Sequence, residues 1–318
     1  MKILISDSIS DSAVATLKDH FEVDVNEVSP SELVTIIPNY DGLIVRSRTK
    51  VTKEVIEAGK NLKVIGRAGI GVDNIDVKVA TERSIPVVFA PRGSTVSVAE
   101  ITLAQMLSLA RQLSYADKMT KEGKWIKKQL NGVEIFGKTL GLIGMGRIGI
   151  EVAKRSQAFG MKVVAFDPYV PQSVAKDHDI ELLTDIEKLY RQADFISIHS
   201  VLTDETRGMI NKESLKLMKK TVFIINYSRG GIINEVDLIN ALEAKEIAGA
   251  ALDVFEKEPL TTESPIVKNL PNLHLTPHIG ASTAEAQDKA GDMTAQGVID
   301  VLLNKKPEFC VNESVFKN

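Results

Sequence analysis

TLGLIGMGRIGIEVAKRSQAFGMKVVAFD, residues 139–167, sets out in one continuous stretch a strand, a glycine turn, a helix and a second strand that ends in an acid. The apolar run 140–143 stops at Gly144-Met145-Gly146-Arg147-Ile148-Gly149, and the apolar spacing then becomes helical through Ile150, Val152, Ala153 and Phe159. A turn placed between strand and helix in this way suits a dinucleotide. Gly144 permits the tight bend, Gly146 lets a pyrophosphate approach the backbone, and Gly149 lets helix and strand pack closely. Free N–H groups at the helix start face the phosphates. The second run, 161–166, delivers Asp167, 18 positions beyond Gly149, where such a unit places an acid for the adenosine ribose hydroxyls. A carboxylate there repels a 2′-phosphate, and no arginine or lysine follows in Pro168-Tyr169-Val170, so the expected cofactor is NAD rather than NADP.

Working outward, 318 residues suffice for two domains, and 44% apolar content with 39 basic and 42 acidic residues (net charge −3) describes an ordinary globular chain. Basic residues are scattered and form no stripe, which argues against nucleic acid as a partner. The N-terminal MKILISDSISDS turns polar too soon for a signal peptide or membrane span, so no membrane is expected and the cytoplasm is the expected compartment. One cysteine, Cys310, excludes an intrachain disulfide and offers no thiolate cluster for a metal.

Short apolar strands alternate with helical stretches along the whole chain, the pattern of parallel sheets covered by helices. They fall into two sets. The first comprises 2–6, 42–46, 63–67 and 86–89; the second comprises 139–143, 162–166, 195–199, 222–226, 249–253 and 273–276. The expected fold class is therefore α/β with two doubly wound parallel sheets. An apolar helix at 96–113, with Ser94, Thr95 and Ser97 as candidate caps, joins the two sets. A last helical pattern begins near Thr283, after the second sheet has ended, and is expected to return to the first domain, leaving a cleft between domains.

Five segments now stand out in order: GRAGIGVDNID (66–76), GKTLGLIGMGRIG (137–149), INYSRGGIINE (225–235), AGAALDVFEKEP (248–259) and LTPHIGASTAEAQ (275–287). In this combination the chain resembles the D-isomer-specific 2-hydroxyacid dehydrogenases over nearly its full length. The resemblance implies a Rossmann-type NAD domain at 97–282, inserted into a flavodoxin-like substrate domain built from 1–96 and 283–318. It also implies a homodimer or homotetramer joined through the NAD domains.

Moving a hydride between C2 of a hydroxy acid and a nicotinamide needs a group that exchanges the hydroxyl proton and a cation that holds the carboxylate. His278 follows a strand-like run and a proline, which puts it at a strand's C-terminal end. The resemblance makes it the acid/base. It makes Glu258 the partner of the imidazole, chosen over Glu256 because the family's acid directly precedes the proline, here Pro259. Arg229, before two glycines at a strand end, becomes the carboxylate clamp. The same resemblance puts Arg147 and Ile148 near the pyrophosphate, Ser200 beside the adenosine half, and Asp253, Gly280 and Ala281 near the nicotinamide. Asp253 equally suits a strand-end carboxylate that caps a loop.

The substrate turns on Arg46 in LIVRSR and Arg67 in VIGRAG, each ending a strand of the first set, with Arg48 a competitor for the same role. Within the resembling family the positions of Arg46 and Arg67 grip a substrate phosphate, and a third basic group from the neighbouring subunit falls at Lys127, where close relatives have arginine. That departure keeps the charge and loses the fork. The implied reaction is oxidation of 3-phosphoglycerate to 3-phosphohydroxypyruvate at the start of serine biosynthesis. Reduction of glyoxylate or hydroxypyruvate is the alternative within the same chemistry, and a non-catalytic, NAD-sensing corepressor the alternative from another class. Family members with a serine-binding C-terminal domain continue beyond the point corresponding to Asn318, so serine feedback is expected to be absent.

Overall fold

Strands and helices alternate throughout the computed structural model, which describes residues 1–316. By its internal contacts the chain divides into two compact units, Val96–Gly280 and a unit that joins Met1–Thr95 to the stretch beginning at Ala281.

The first unit carries β1 (Lys2–Ile5), β2 (Glu22–Val25), β3 (Gly42–Val45), β4 (Val64–Arg67) and β5 (Val87–Phe89). They pair in parallel in the order β2-β1-β3-β4-β5, the flavodoxin-like arrangement. Alternate residues bury into opposite layers: Leu4, Leu43, Val45, Ile65 and Val87 lie in one core, Ile3, Ile5, Ile44, Val64 and Val88 in the other. The helix Ala284–Leu302, capped by Thr283 accepting from Ala286 N–H, packs on β4, β5 and the Asp11–Lys18 helix. Gly66 allows that approach, because a Cβ there would come within 2.8 Å of Thr294 and 2.9 Å of Val298.

The second unit carries β6 (Thr139–Ile143), β7 (Lys162–Phe166), β8 (Glu181–Leu183), β9 (Phe195–Ile198), β10 (Phe223–Asn226), β11 (Gly249–Leu252) and β12 (Leu273–Leu275). All seven are parallel in the order β12-β11-β10-β9-β6-β7-β8, a Rossmann sheet extended by one strand. The strand order reverses between β6 and β9, which leaves a crevice outside their C-terminal ends. Again two cores flank the sheet, with Ile143, Ile198 and Ile224 on one face and Leu142, Phe195 and Ile225 on the other.

Two strands lie outside the sets found from sequence. β2 (EVDV) and β8 (ELL) are edge strands whose residues stay half-buried or exposed, so neither has the apolar run that marks the interior strands. The helix expected at 96–113 is two helices, Thr95–Arg111 and Leu113–Lys121, separated by Gln112 in the left-handed region at φ 54°. Among the described residues no helix is long and apolar enough to cross a membrane.

Candidate active site

The glycine turn sits at the crevice between β6 and β9. Gly144 takes φ 94°, and a Cβ on it would lie 2.7 Å from the His199 carbonyl carbon and 2.8 Å from Ser200 N. A Cβ on Gly149, in the first turn of the Arg147–Ala158 helix, would lie 2.5 Å from the Gly144 carbonyl oxygen, so turn and helix close on each other only without side chains. Gly146 differs from both. It is exposed, and a Cβ there would meet no atom within 4 Å, so the space above it is open at the helix N-terminus. Two buried glycines close the turn and the third leaves room in front of the helix, a cradle that fits a pyrophosphate. Arg147 and Ile148 begin the helix, Arg147 exposed and Ile148 half-buried.

Asp167 follows β7 and accepts from Met145 N–H at 2.8 Å and Tyr169 N–H at 3.0 Å. Its carboxylate therefore braces the glycine turn as well as ending the strand. At the end of β9 the Ser200 hydroxyl and His199 Nδ1 are buried without a hydrogen-bond partner, while His199 Nε2 meets the Ser197 hydroxyl at 2.8 Å. Burial pushes the His199 imidazole down to about 3, so this ring stays neutral.

Farther along the same C-terminal edge, His278 Nδ1 lies 2.8 Å from Glu258 Oε2. The other Glu258 oxygen accepts from Phe255 N–H at 3.0 Å, which fixes the carboxylate on its loop. Glu256 faces elsewhere, accepting from Glu235 N–H at 3.3 Å, while Glu256 N–H donates to the buried Glu235 carboxylate at 2.6 Å. The hydrogen bond to Glu258 raises the His278 pKa above its ordinary value against burial; the Glu258 and Asp253 charges add to the rise and Arg229 opposes it. Burial pushes the Glu258 carboxyl upward, but the His278 and Phe255 hydrogen bonds and the His278 and Arg229 charges outweigh it and hold the group below the usual range. The pair thus favours imidazolium beside carboxylate.

Arg229 lies three residues beyond β10 and carries part of the charge that acts on both members of that pair. Asn226, 1% exposed at the strand end, donates to the Arg229 carbonyl at 2.9 Å and accepts from Ser228 N–H and the Ser228 hydroxyl at 3.0 and 2.8 Å. A Cβ on Gly230 would lie 1.8 Å from the Phe255 carbonyl oxygen, so only glycine lets the arginine loop lie against the loop that carries Glu258. Asn226 and Glu235 thus shape the site without having been singled out from sequence; the signal was a polar side chain directly after an apolar strand and an acid opening a helix.

Asp253, 1% exposed after β11, accepts from Ile279 N–H at 2.8 Å, Gly280 N–H at 2.7 Å and the Thr276 hydroxyl at 2.6 Å. Burial raises its carboxyl pKa and those three donors pull it back. Ala281 is exposed directly after this stretch.

Within the first unit, Val45 pairs with Arg67 across β3 and β4, so Arg46 and Arg67 emerge at neighbouring strand ends. Asp7, buried, accepts from Arg46 N–H at 2.6 Å, and the Arg46 guanidinium donates to the Ser8 carbonyl at 3.3 Å. Arg48 donates to the Ser6 carbonyl and pairs with Asp7. A Cβ on Gly69 would stand 1.5 Å from the Arg67 guanidinium, so glycine leaves that side chain its place. Lys127 is exposed on a single 3-10 turn, Lys127–Gln129.

Residues 103–280 match the family model described as D-isomer specific 2-hydroxyacid dehydrogenase, NAD binding domain. The chain belongs to the D-isomer-specific 2-hydroxyacid dehydrogenases. Among relatives of this dehydrogenase, the D-3-phosphoglycerate dehydrogenase of Methanocaldococcus jannaschii is 48% identical over 313 residues, covering 98% of this chain and 59% of that protein. The hydroxypyruvate reductase of Thermotoga maritima is 48% identical over 293 residues, covering 91% of this chain and 94% of its own. The crystal structure of TT0316 protein from Thermus thermophilus superposes with a TM-score of 0.90 at 33% identity, covering 98% of this chain and 100% of the other. The dehydrogenase spans only 56–59% of the length of the first three phosphoglycerate dehydrogenases it resembles. Its NAD-binding domain contains the glycine cradle, Asp167, Arg229, Glu258 and His278 together.

Proposed function

We propose that this dehydrogenase interconverts D-3-phosphoglycerate and 3-phosphohydroxypyruvate with NAD, the entry to serine biosynthesis, with His278 as acid/base. The observation that carries the reading is the His278–Glu258 contact of 2.8 Å on the C-terminal edge of the NAD-binding sheet. Because Nδ1–H is directed at Glu258, the free Nε2 is left to take the C2 hydroxyl proton in oxidation and to return it in reduction. The shifts in both groups favour the charged pair that exists after the proton is taken. Arg229 holds the substrate carboxylate through its planar fork, which fixes C2 beside the imidazole. When bound, NAD accepts or supplies the hydride at C2; Gly144, Gly146, Arg147, Ile148 and Gly149 would hold its pyrophosphate, and Asp167 and Ser200 its adenosine half. Asp253, Gly280 and Ala281 would lie near the nicotinamide.

Arg46 and Arg67 narrow the substrate to a phosphorylated acid, since two guanidinium groups at neighbouring strand ends suit a dianionic phosphate. Lys127 adds a third cation from a second copy of the chain. Its segment supports self-association into a homodimer or homotetramer, because Trp125 is 83% exposed and Phe136 75% exposed on one polypeptide. Reduction of unphosphorylated hydroxypyruvate is a second reading, favoured by the end-to-end match to the Thermotoga maritima reductase. Arg67→Ala separates the two. Losing a charged hydrogen bond to phosphate should cost about 2 kcal/mol, roughly 30-fold in kcat/KM for 3-phosphohydroxypyruvate, with little change for hydroxypyruvate. Equal losses on both substrates would contradict a phosphate pocket.

A further inference from the structure

His274, Gln105, Tyr227 and Thr276 take no part in the chemistry above, yet they make two polar pairs inside the NAD-binding unit, one of which reaches Asp253. His274 Nδ1 lies 2.9 Å from Gln105 Oε1, the Gln105 side chain draws the Tyr227 pKa down against burial, the Tyr227 hydroxyl lies 3.1 Å from the Thr276 hydroxyl, and that hydroxyl lies 2.6 Å from Asp253 Oδ1. These residues come from the Thr95–Arg111 helix, from β12 and the residue directly after it, and from the loops that follow β10 and β11.

The direction of the Thr276 and Tyr227 bonds follows from the carboxylate end. Ionised Asp253 only accepts, so Thr276 spends its one hydrogen there and must accept from Tyr227. Gln105 presents its amide oxygen to His274. His274 must therefore carry its proton on Nδ1, and its buried Nε2 has no partner, as a neutral ring requires. No acceptor in the series faces an acceptor.

The Asp253 end gives the Tyr227–Thr276 pair its purpose. The Asp253 carboxylate also takes the two peptide N–H groups that directly follow His278. His278 itself holds φ 54°, a left-handed conformation unfavourable for a residue with a Cβ, and such a backbone persists only where its surroundings over-determine it. We infer that Thr276 is a positioning residue for His278: with Tyr227 behind it, it keeps the Asp253 carboxylate turned onto Ile279 and Gly280 N–H, and so holds the imidazole against Glu258. The inference rests on His278 being the acid/base.

The charged groups that act on His278 are Glu258, Asp253 and Arg229. Burial drives Asp253 toward its neutral form and the Thr276 hydroxyl is foremost among the donors that oppose this. Removing that hydroxyl therefore weakens a negative charge that raises the His278 pKa, so Thr276→Val should lower it and Thr276→Ser should restore it. The test is a proton NMR titration of the His278 ring in the full-length protein, with the signal assigned through His278→Gln. In parallel, kcat and KM are measured for reduction of 3-phosphohydroxypyruvate and of hydroxypyruvate.

For Thr276→Val the expected result is a lowered His278 pKa and a kcat reduced about tenfold with KM nearly unchanged, both recovered in Thr276→Ser. Tyr227→Phe, which removes one hydroxyl and no bulk, should move both quantities in the same direction by a smaller amount, and it serves if the valine variant does not fold. A His278 titration unmoved in the variants that fold would overturn the inference. Full turnover in His278→Gln would instead remove the acid/base role, while the Thr276 titration would still decide the positioning.

Discussion

Replacing Glu258 with glutamine keeps the length of the side chain and one oxygen near His278 Nδ1, and removes the charge. The native contact is 2.8 Å and is the foremost cause of the raised His278 pKa. A charge-assisted hydrogen bond is worth about 1.5–3 kcal/mol, and the lower end applies here because the His278 side chain is 52% and that of Glu258 35% exposed. About 1.5 kcal/mol corresponds to roughly a tenfold loss in kcat/KM.

The sign with pH follows from the role of the ring. With His278 as the proposed acid, reduction needs the ring protonated, so the rate should fall as pH rises through its pKa; the wild-type value lies above the ordinary 6.5. Without the Glu258 charge that alkaline limb must move to lower pH, and in the oxidation direction the acid limb must move the same way. The assay is NADH consumption with 3-phosphohydroxypyruvate from pH 5.5 to about 9 in both proteins. A Glu258→Gln enzyme with the same alkaline limb and kcat/KM within about twofold of wild type would refute the pairing as a catalytic device.

Two further predictions concern the cofactor end. Asp167→Ser removes the carboxylate that would repel a 2′-phosphate, so the preference for NADH over NADPH should shrink by roughly tenfold when kcat/KM is compared for the two cofactors. It should also raise KM for NADH, because Met145 N–H loses its 2.8 Å acceptor. The neutral His199 affects stability with pH: its folded pKa of about 3 lies below the ordinary 6.5, so the unfolded chain takes the proton first and stability is lost as pH falls below 6.5. Between pH 7 and 5 this one group costs about 2 kcal/mol. Urea unfolding of His199→Gln at both pH values should show a correspondingly smaller drop than wild type, and an identical drop would contradict a buried neutral ring.

The interior strands and the glycine turn were legible in the sequence because burial on both faces demands continuous apolar runs and because Gly144 and Gly149 have no room for a Cβ. Edge strands impose no such demand. Glu22–Val25 and Glu181–Leu183 keep exposed acids within the strand and so carry no run to detect. The break at Gln112 was invisible for a different reason: SLARQLSYADK contains neither glycine nor proline, and the left-handed residue is a glutamine.

At the site, a histidine after a strand and a proline could be singled out, whereas the choice of Glu258 over Glu256 rested on Pro259 and a resemblance. Space separates the two glutamates by what each meets, His278 for one and Glu235 N–H for the other. The His274–Gln105 contact had no sequence signature at all, since the two residues lie 169 apart and meet only through the folded sheet.

NADH-dependent reduction of 3-phosphohydroxypyruvate and of hydroxypyruvate, measured side by side, decides whether the proposed substrate is a phosphorylated hydroxy acid. A phosphate pocket at Arg46, Arg67 and Lys127 should make kcat/KM at least about a hundredfold higher for the phosphorylated acid, on the order of 2.7 kcal/mol of additional transition-state binding. Equal values would contradict it and make the protein a general hydroxyacid reductase.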